Sequence, residues 1–140
     1  MRSGRAVIAA VATALLLAGC SVGPSSVATK TYRGAPNGFD SSKGLSDGGQ
    51  PGAMWLEGGG AFAIITFGSS SCPPVPTSVS VKDAHTIEVT FAQSPQKACT
   101  ADFGPSTSEF TTPAGLEDPV TAELSFDFGE KHRYSVPIQG

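Results

Sequence analysis

The sequence predicts an all-β fold, a small immunoglobulin-like β-sandwich of about seven strands preceded by a signal peptide and a flexible tether. Three observations lead there. Beyond Gly52, short apolar runs alternate with turn residues, which is the pattern of a sandwich or barrel. Glycine and proline, 17 and 11 of 140 residues, punctuate the chain too often for long helices. A hydrophobic fraction of 39% against 15% charge is nevertheless enough for a folded core. Once a 19-residue leader is set aside, the remaining 121 residues suffice for one modest domain.

The leader occupies residues 1–19. Arg2 and Arg5 make a positive start, and Ala6 to Ala18 form an uncharged run of 13 residues rich in Ala, Val and Leu. A bilayer span needs about 20 such residues, so this length fits a cleaved signal and not a crossing helix. Leu17-Ala18-Gly19-Cys20 follows, and it resembles the lipobox of bacterial lipoproteins. That resemblance implies cleavage before Cys20 and a diacylglyceryl group on its sulfur. The expected location is therefore the outer face of the cell membrane, with the chain held there by lipid at Cys20.

Residues 20–52 read as the tether. Between Ser21 and Gly52, 16 of 32 residues are Gly, Ser or Pro, and neither strand nor helix period is sustained. A free chain of that length reaches about 30 Å. Phe39 and Leu45 allow its later part to pack on the edge of the domain.

The domain is expected over residues 53–140. Met54 to Leu56 is a short strand, and Ala61 to Phe67 is apolar on both faces, as in a central strand covered on both sides. Val79 and Val81 join Thr86 to Phe91 through Asp83-Ala84-His85 as a hairpin. Thr107 to Thr111 adds a strand. Val120, Ala122, Leu124, Phe126 and Phe128 alternate with polar residues, the clearest period of two in the chain, and Arg133 to Ile138 closes the fold. No stretch after Cys20 shows a capped amphipathic helix.

With Cys20 lipidated, Cys72 and Cys99 remain as an even pair in an oxidising compartment, and a disulfide between them is expected. Its loop of 27 residues corresponds to about 3 kcal/mol of stabilisation by loss of unfolded-chain entropy. Immunoglobulin domains place a Trp between their cysteines, whereas Trp55 precedes both, so the fold expectation rests on strand pattern alone.

Charge excludes one class of function. Loss of Arg2 and Arg5 leaves seven basic against twelve acidic residues, with no basic cluster, so nucleic acid is not an expected partner. The same balance weakly opposes an anionic membrane surface.

Catalytic motifs are absent or misplaced. Gly68-Ser69-Ser70-Ser71-Cys72-Pro73-Pro74 lacks the second glycine and following helix of a nucleophile elbow, and reads as an exit turn whose hydroxyls are also candidates for ligand binding. Ser94-Pro95-Gln96-Lys97 has Ser-x-x-Lys spacing without the helix and partner motifs that chemistry needs. Gly58-x-Gly60-x-x-Ala63 leads into a strand, so it reads as a turn and not a dinucleotide loop. His85 and His132 lack a nearby cysteine partner for copper and read as solvated. Asp102, Glu109, Glu117 and Asp118 form no calcium-loop run, and a carboxylate pair for glycoside hydrolysis needs a separation that sequence does not supply. No cofactor, metal or catalytic residue is expected. Trp55 reads as core packing, or in the sharper version as a stacking surface for a sugar ring.

Trp55, the Gly68 to Pro74 run, Ala98-Cys99-Thr100-Ala101-Asp102 and the closing strand together resemble small lipoproteins of high-GC Gram-positive bacteria. The resemblance implies habitat and fold and brings no activity with it. The expected function is a non-enzymatic, lipid-anchored module that binds a small ligand or an envelope protein, with Ser69, Ser70, Ser71 and Trp55 as candidate contacts. The alternatives are a structural or accessory envelope protein offering an edge strand, and a small hydrolase.

Overall fold

The computed structural model describes residues 23–140, so the leader and Cys20 lie outside the described residues. Eight strands follow in chain order: β1 (Lys30–Arg33), β2 (Gly52–Leu56), β3 (Ala61–Gly68), β4 (Val75–Asp83), β5 (Thr86–Ala92), β6 (Gly104–Thr111), β7 (Thr121–Asp127) and β8 (Lys131–Gln139). They form one curled sheet in the order β1-β6-β3-β2-β8-β7-β5-β4. The fold is all-β with one disulfide, in agreement with the sequence.

Most neighbours are antiparallel, but β2 and β8 run parallel, as do β5 and β7. β8 is the corner: it pairs with β7 from Pro137 to Lys131 and with β2 through Ile138 and Gln139. The two halves therefore face each other across one core. Phe62, Ile64 and Phe110 from one half meet Ile87, Val89, Phe91, Ala122 and Leu124 from the other, all essentially without solvent exposure. These are the alternating positions of each strand, so the period of two is what aims them inward.

β3 is central, between β6 and β2, and all of its residues from Phe62 to Thr66 are buried. Its outer face is covered by the chain between β1 and β2. There Gly44 lies on the Phe67 ring, and Gly52 lies on Phe39 so closely that a Cβ at either position would collide with the aromatic.

That covering chain corrects the tether expectation. Residues 20–52 contain β1, paired from Lys30↔Glu109 to Arg33↔Ser106, and a helix α1 (Ser41–Ser46). Backbone bonds explain the difference, because pairing with β6 satisfies the donors and acceptors of a segment that side-chain period does not mark. Thr107 on β6 also donates its hydroxyl to Gly34 O at 2.6 Å, fixing the end of β1. α1 is a single capped stretch: Asp40 accepts from Ser42 N at 3.0 Å, and six residues are too few to show amphipathic period. The expectation of no helix after Cys20 is thus also corrected.

The two edges of the sheet approach each other just before β1. Val27 N donates to Pro76 O on β4 at 2.9 Å, and Thr29 N donates to Glu109 O on β6 at 2.8 Å. Residues 27–29 therefore bridge the edges and narrow the opening of the curled sheet.

Candidate functional site

The curled sheet has two ends. One carries α1, the loop from β5 to β6 with Cys99, and the β7–β8 turn; it is called the disulfide end. The other carries the β2–β3 turn, the β4–β5 turn and the β6–β7 connection; it is called the Trp55 end.

At the disulfide end, Cys72 and Cys99 are bonded with Cα atoms 5.5 Å apart, joining the segment after β3 to the loop after β5. The three serines sit beside this bond. Ser69 Oγ and Ser71 Oγ each lie 3.1 Å from Thr100 Oγ1, and Thr100 N donates to Ser71 Oγ at 2.8 Å. Ser70 N donates to Asp102 Oδ1 at 3.2 Å, and the Thr100 hydroxyl donates to the same oxygen. Hydrogen bonds from Ser70 and then Thr100 hold the Asp102 carboxyl down to about 2. The serine hydroxyls thus bond within a polar clamp spanning the disulfide loop, which gives the exit-turn reading a structural basis.

Trp55 lies at the opposite end, so the structure does not bring it together with Ser69, Ser70 and Ser71. It extends the core-facing side of β2, packs partly buried against the core, and meets Phe62 edge-on with ring centroids 6.2 Å apart. Beside it opens a cleft of about 460 Å³ whose lining includes Gly58, Gly59, Thr112, Leu116, Asp118 and Val120. This is the mouth between the two halves of the sheet.

Three features shape the cleft. Gly58 and Gly59 have φ of 69° and 88°, and no atom lies within 4 Å of where a Cβ would stand, so a left-handed turn keeps the wall open. Thr112 N is used by Gly60 O at 3.1 Å, while Thr112 Oγ1 is shielded from solvent and has no hydrogen-bond partner. Asp118 stands exposed at the rim, ahead of a cis bond to Pro119. A buried hydroxyl without a partner costs about 1–3 kcal/mol.

The remaining candidates do not converge. His85 is exposed, with Nδ1 2.7 Å from Glu117 O, and His132 lies at the far end of the molecule on β8. Glu109 lies on β6 beside Lys30, away from both Asp102 and Asp118. Among the described residues no group of three or more His, Cys, Asp or Glu is placed to hold a metal ion. Among them, too, no helix is long and apolar enough to cross a membrane. Sequence reasoning missed Thr112 and Leu116, whose only signal was their place between β6 and β7, and named Asp118 only as a carboxylate for calcium or glycoside hydrolysis. It read Gly58 to Gly60 as a turn between two strands, and that is where the turn lies.

No family model, curated protein or solved structure matches the chain.

Proposed function

We propose that the protein is a non-enzymatic binding module, held by lipid at Cys20 on the outer face of the cell membrane, that takes a small ligand into the cleft at the Trp55 end. The observation that carries this reading is a cleft of about 460 Å³ walled by Trp55. That volume falls within the range of small-molecule sites, and such sites combine apolar walls with a few fixed polar groups. Trp55, Leu116 and Val120 supply the apolar part. The Asp118 carboxylate and the glycine backbone supply the polar part. One large ring with acceptors around it suits a polyhydroxylated ring, which offers C–H faces to an aromatic and hydroxyls to a carboxylate.

The test is a thermal-unfolding screen of the mature chain against oligosaccharides, peptidoglycan fragments and small envelope metabolites. A ligand at 100 times its dissociation constant adds about 2.7 kcal/mol of stability, a shift of several degrees for a domain this small. Loss of that shift in Trp55→Ala supports the cleft; an equal shift in Trp55→Ala overturns it.

A second reading, an accessory envelope protein that docks through an edge strand, draws on β4. Its nine residues form one edge of the sheet, with exposed Val81 in its outer half. Crosslinking on intact cells from a residue on β4 separates the two readings.

A further inference from the structure

The described chain starts at the disulfide end. Gly23 lies against Pro95, where a Cβ would stand 3.2 Å from Pro95 Cβ, and Pro95 belongs to the β5–β6 loop of that end. Only two residues, Ser21 and Val22, separate Gly23 from Cys20, so the three steps span at most about 11 Å of extended chain. From Val27 onward the backbone is hydrogen-bonded to β4 and β6. A lipid on Cys20 is therefore joined to the domain by a short leash, and not by the 30 Å tether that composition alone suggests. With so short a connection, the disulfide end is the end brought to the headgroups.

Three of the five large exposed apolar side chains among the described residues, including both aromatic ones, lie at that end; Val27 and Val81 are the others. Phe103 is 55% exposed, Leu45 44% and Phe128 40%. They are neighbours through shared partners. Phe103 stacks on Phe67 with ring centroids 6.4 Å apart, and Gly49 lies against the Phe103 ring and the Phe67 Cβ. Phe67 and Phe128 line one recess of about 200 Å³, together with Phe126 and Tyr134. Leu45 follows Gly44, which rests on Phe67.

Both ends are net acidic. The disulfide end carries Lys43, Lys97 and Lys131 beside Asp40, Asp47, Asp102, Asp127 and Glu130, three basic against five acidic residues. Turns of the Trp55 end carry Glu57, Asp83, Glu117 and Asp118, while the nearby Lys82 is engaged by Glu123 at 2.8 Å and Glu88 at 3.9 Å.

We infer that the disulfide end is a membrane-docking face: Phe103, Phe128 and Leu45 insert into the interfacial region of the leaflet that holds the Cys20 lipid, and the Trp55 cleft points away from it. Aromatic side chains favour that depth of a bilayer, and a covalent anchor needs a second contact to fix orientation. The inference rests on the anchored reading above and adds the orientation.

The experiment uses the full chain, expressed with lipoprotein processing and reconstituted into phosphatidylethanolamine–phosphatidylglycerol vesicles with or without bromine on the acyl chains. Phe103→Trp, Phe128→Trp and Leu45→Trp are each made in a Trp55→Phe background. At least twofold quenching of these three by brominated lipid, with the native Trp55 emission unchanged, is the expected result. Phe103→Trp and Phe128→Trp keep an aromatic in place, and Leu45→Trp is a third probe on a separate element should either misfold. An acylated chain whose introduced tryptophans are quenched no more than Trp55 overturns the docking face alone. The mass of the N-terminal peptide reports the anchor separately, and an unacylated Cys20 removes both the anchored reading and this inference.

Discussion

Phe62 and Phe110 occupy one register position of the β3–β6 pair, and their rings stack with centroids 5.0 Å apart at 18°. Phe91 and Phe126 do the same across the parallel β5–β7 pair, at 4.9 Å and 12°. Each half of the curled sheet thus holds a cross-strand aromatic stack one residue in from the strand ends, and cross-strand pairs are the unit of sheet stability. Phe62→Ala removes a fully buried ring that also braces Trp55, so it costs about 3–5 kcal/mol. Urea unfolding with an unchanged slope and a lower midpoint is the expected readout.

Gly44 sits inside α1 with its α-carbon on the Phe67 ring. In an exposed helix, glycine to alanine ordinarily gains up to about 1 kcal/mol. Here the sign reverses, because the added methyl meets a ring that Phe103 holds from its other side. Gly44→Ala lowers the thermal midpoint, and combining it with Phe67→Leu recovers part of the loss. A midpoint raised by Gly44→Ala alone contradicts the packing of α1 on β3.

The Cys72–Cys99 bond closes a 27-residue separation that contains the whole β4–β5 hairpin. The double substitution Cys72→Ser with Cys99→Ser costs about 3 kcal/mol, chiefly by freeing the unfolded chain. Denaturant titration of the oxidised and substituted chains measures the difference directly.

Asp102 gives stability a pH dependence of definite sign. Its carboxyl is held down to about 2 when folded, against an ordinary value near 3.8, so the unfolded chain takes up its proton first. The contribution is fully present above about pH 4 and is lost as pH falls through 2. Asp102→Asn therefore lowers the midpoint of unfolding at neutral pH and flattens its decline between pH 4 and 2. An identical decline in the variant assigns the acid sensitivity to other carboxylates.

The strands were legible where one face is buried and the other is not. Val120 to Phe128 and Thr86 to Phe91 announce β7 and β5 through period two, and Ala61 to Phe67 announces β3 because both faces are covered. β1 was not legible, since Lys30–Arg33 buries little and is held by backbone bonds to β6. α1 depends on the Asp40 cap and a glycine under Phe67, neither of which leaves a period in six residues. Of the candidate site, Trp55 could be named from its residue type, but its distance from Ser69 to Ser71 follows from topology. Thr112 and Asp118 reach the cleft through the β6–β7 connection, whose path no local pattern encodes.

Trp55 is the only tryptophan, so its emission reports on the cleft without labelling. Titrating the mature chain with the oligosaccharides and peptidoglycan fragments of the screen, and following that emission, tests the binding reading most directly. The expected result is a saturable change with at least one of them, weakened tenfold or more by Asp118→Asn and unaltered by Ser70→Ala. Emission that stays flat across the panel, or a change that Asp118→Asn leaves intact, contradicts the binding reading.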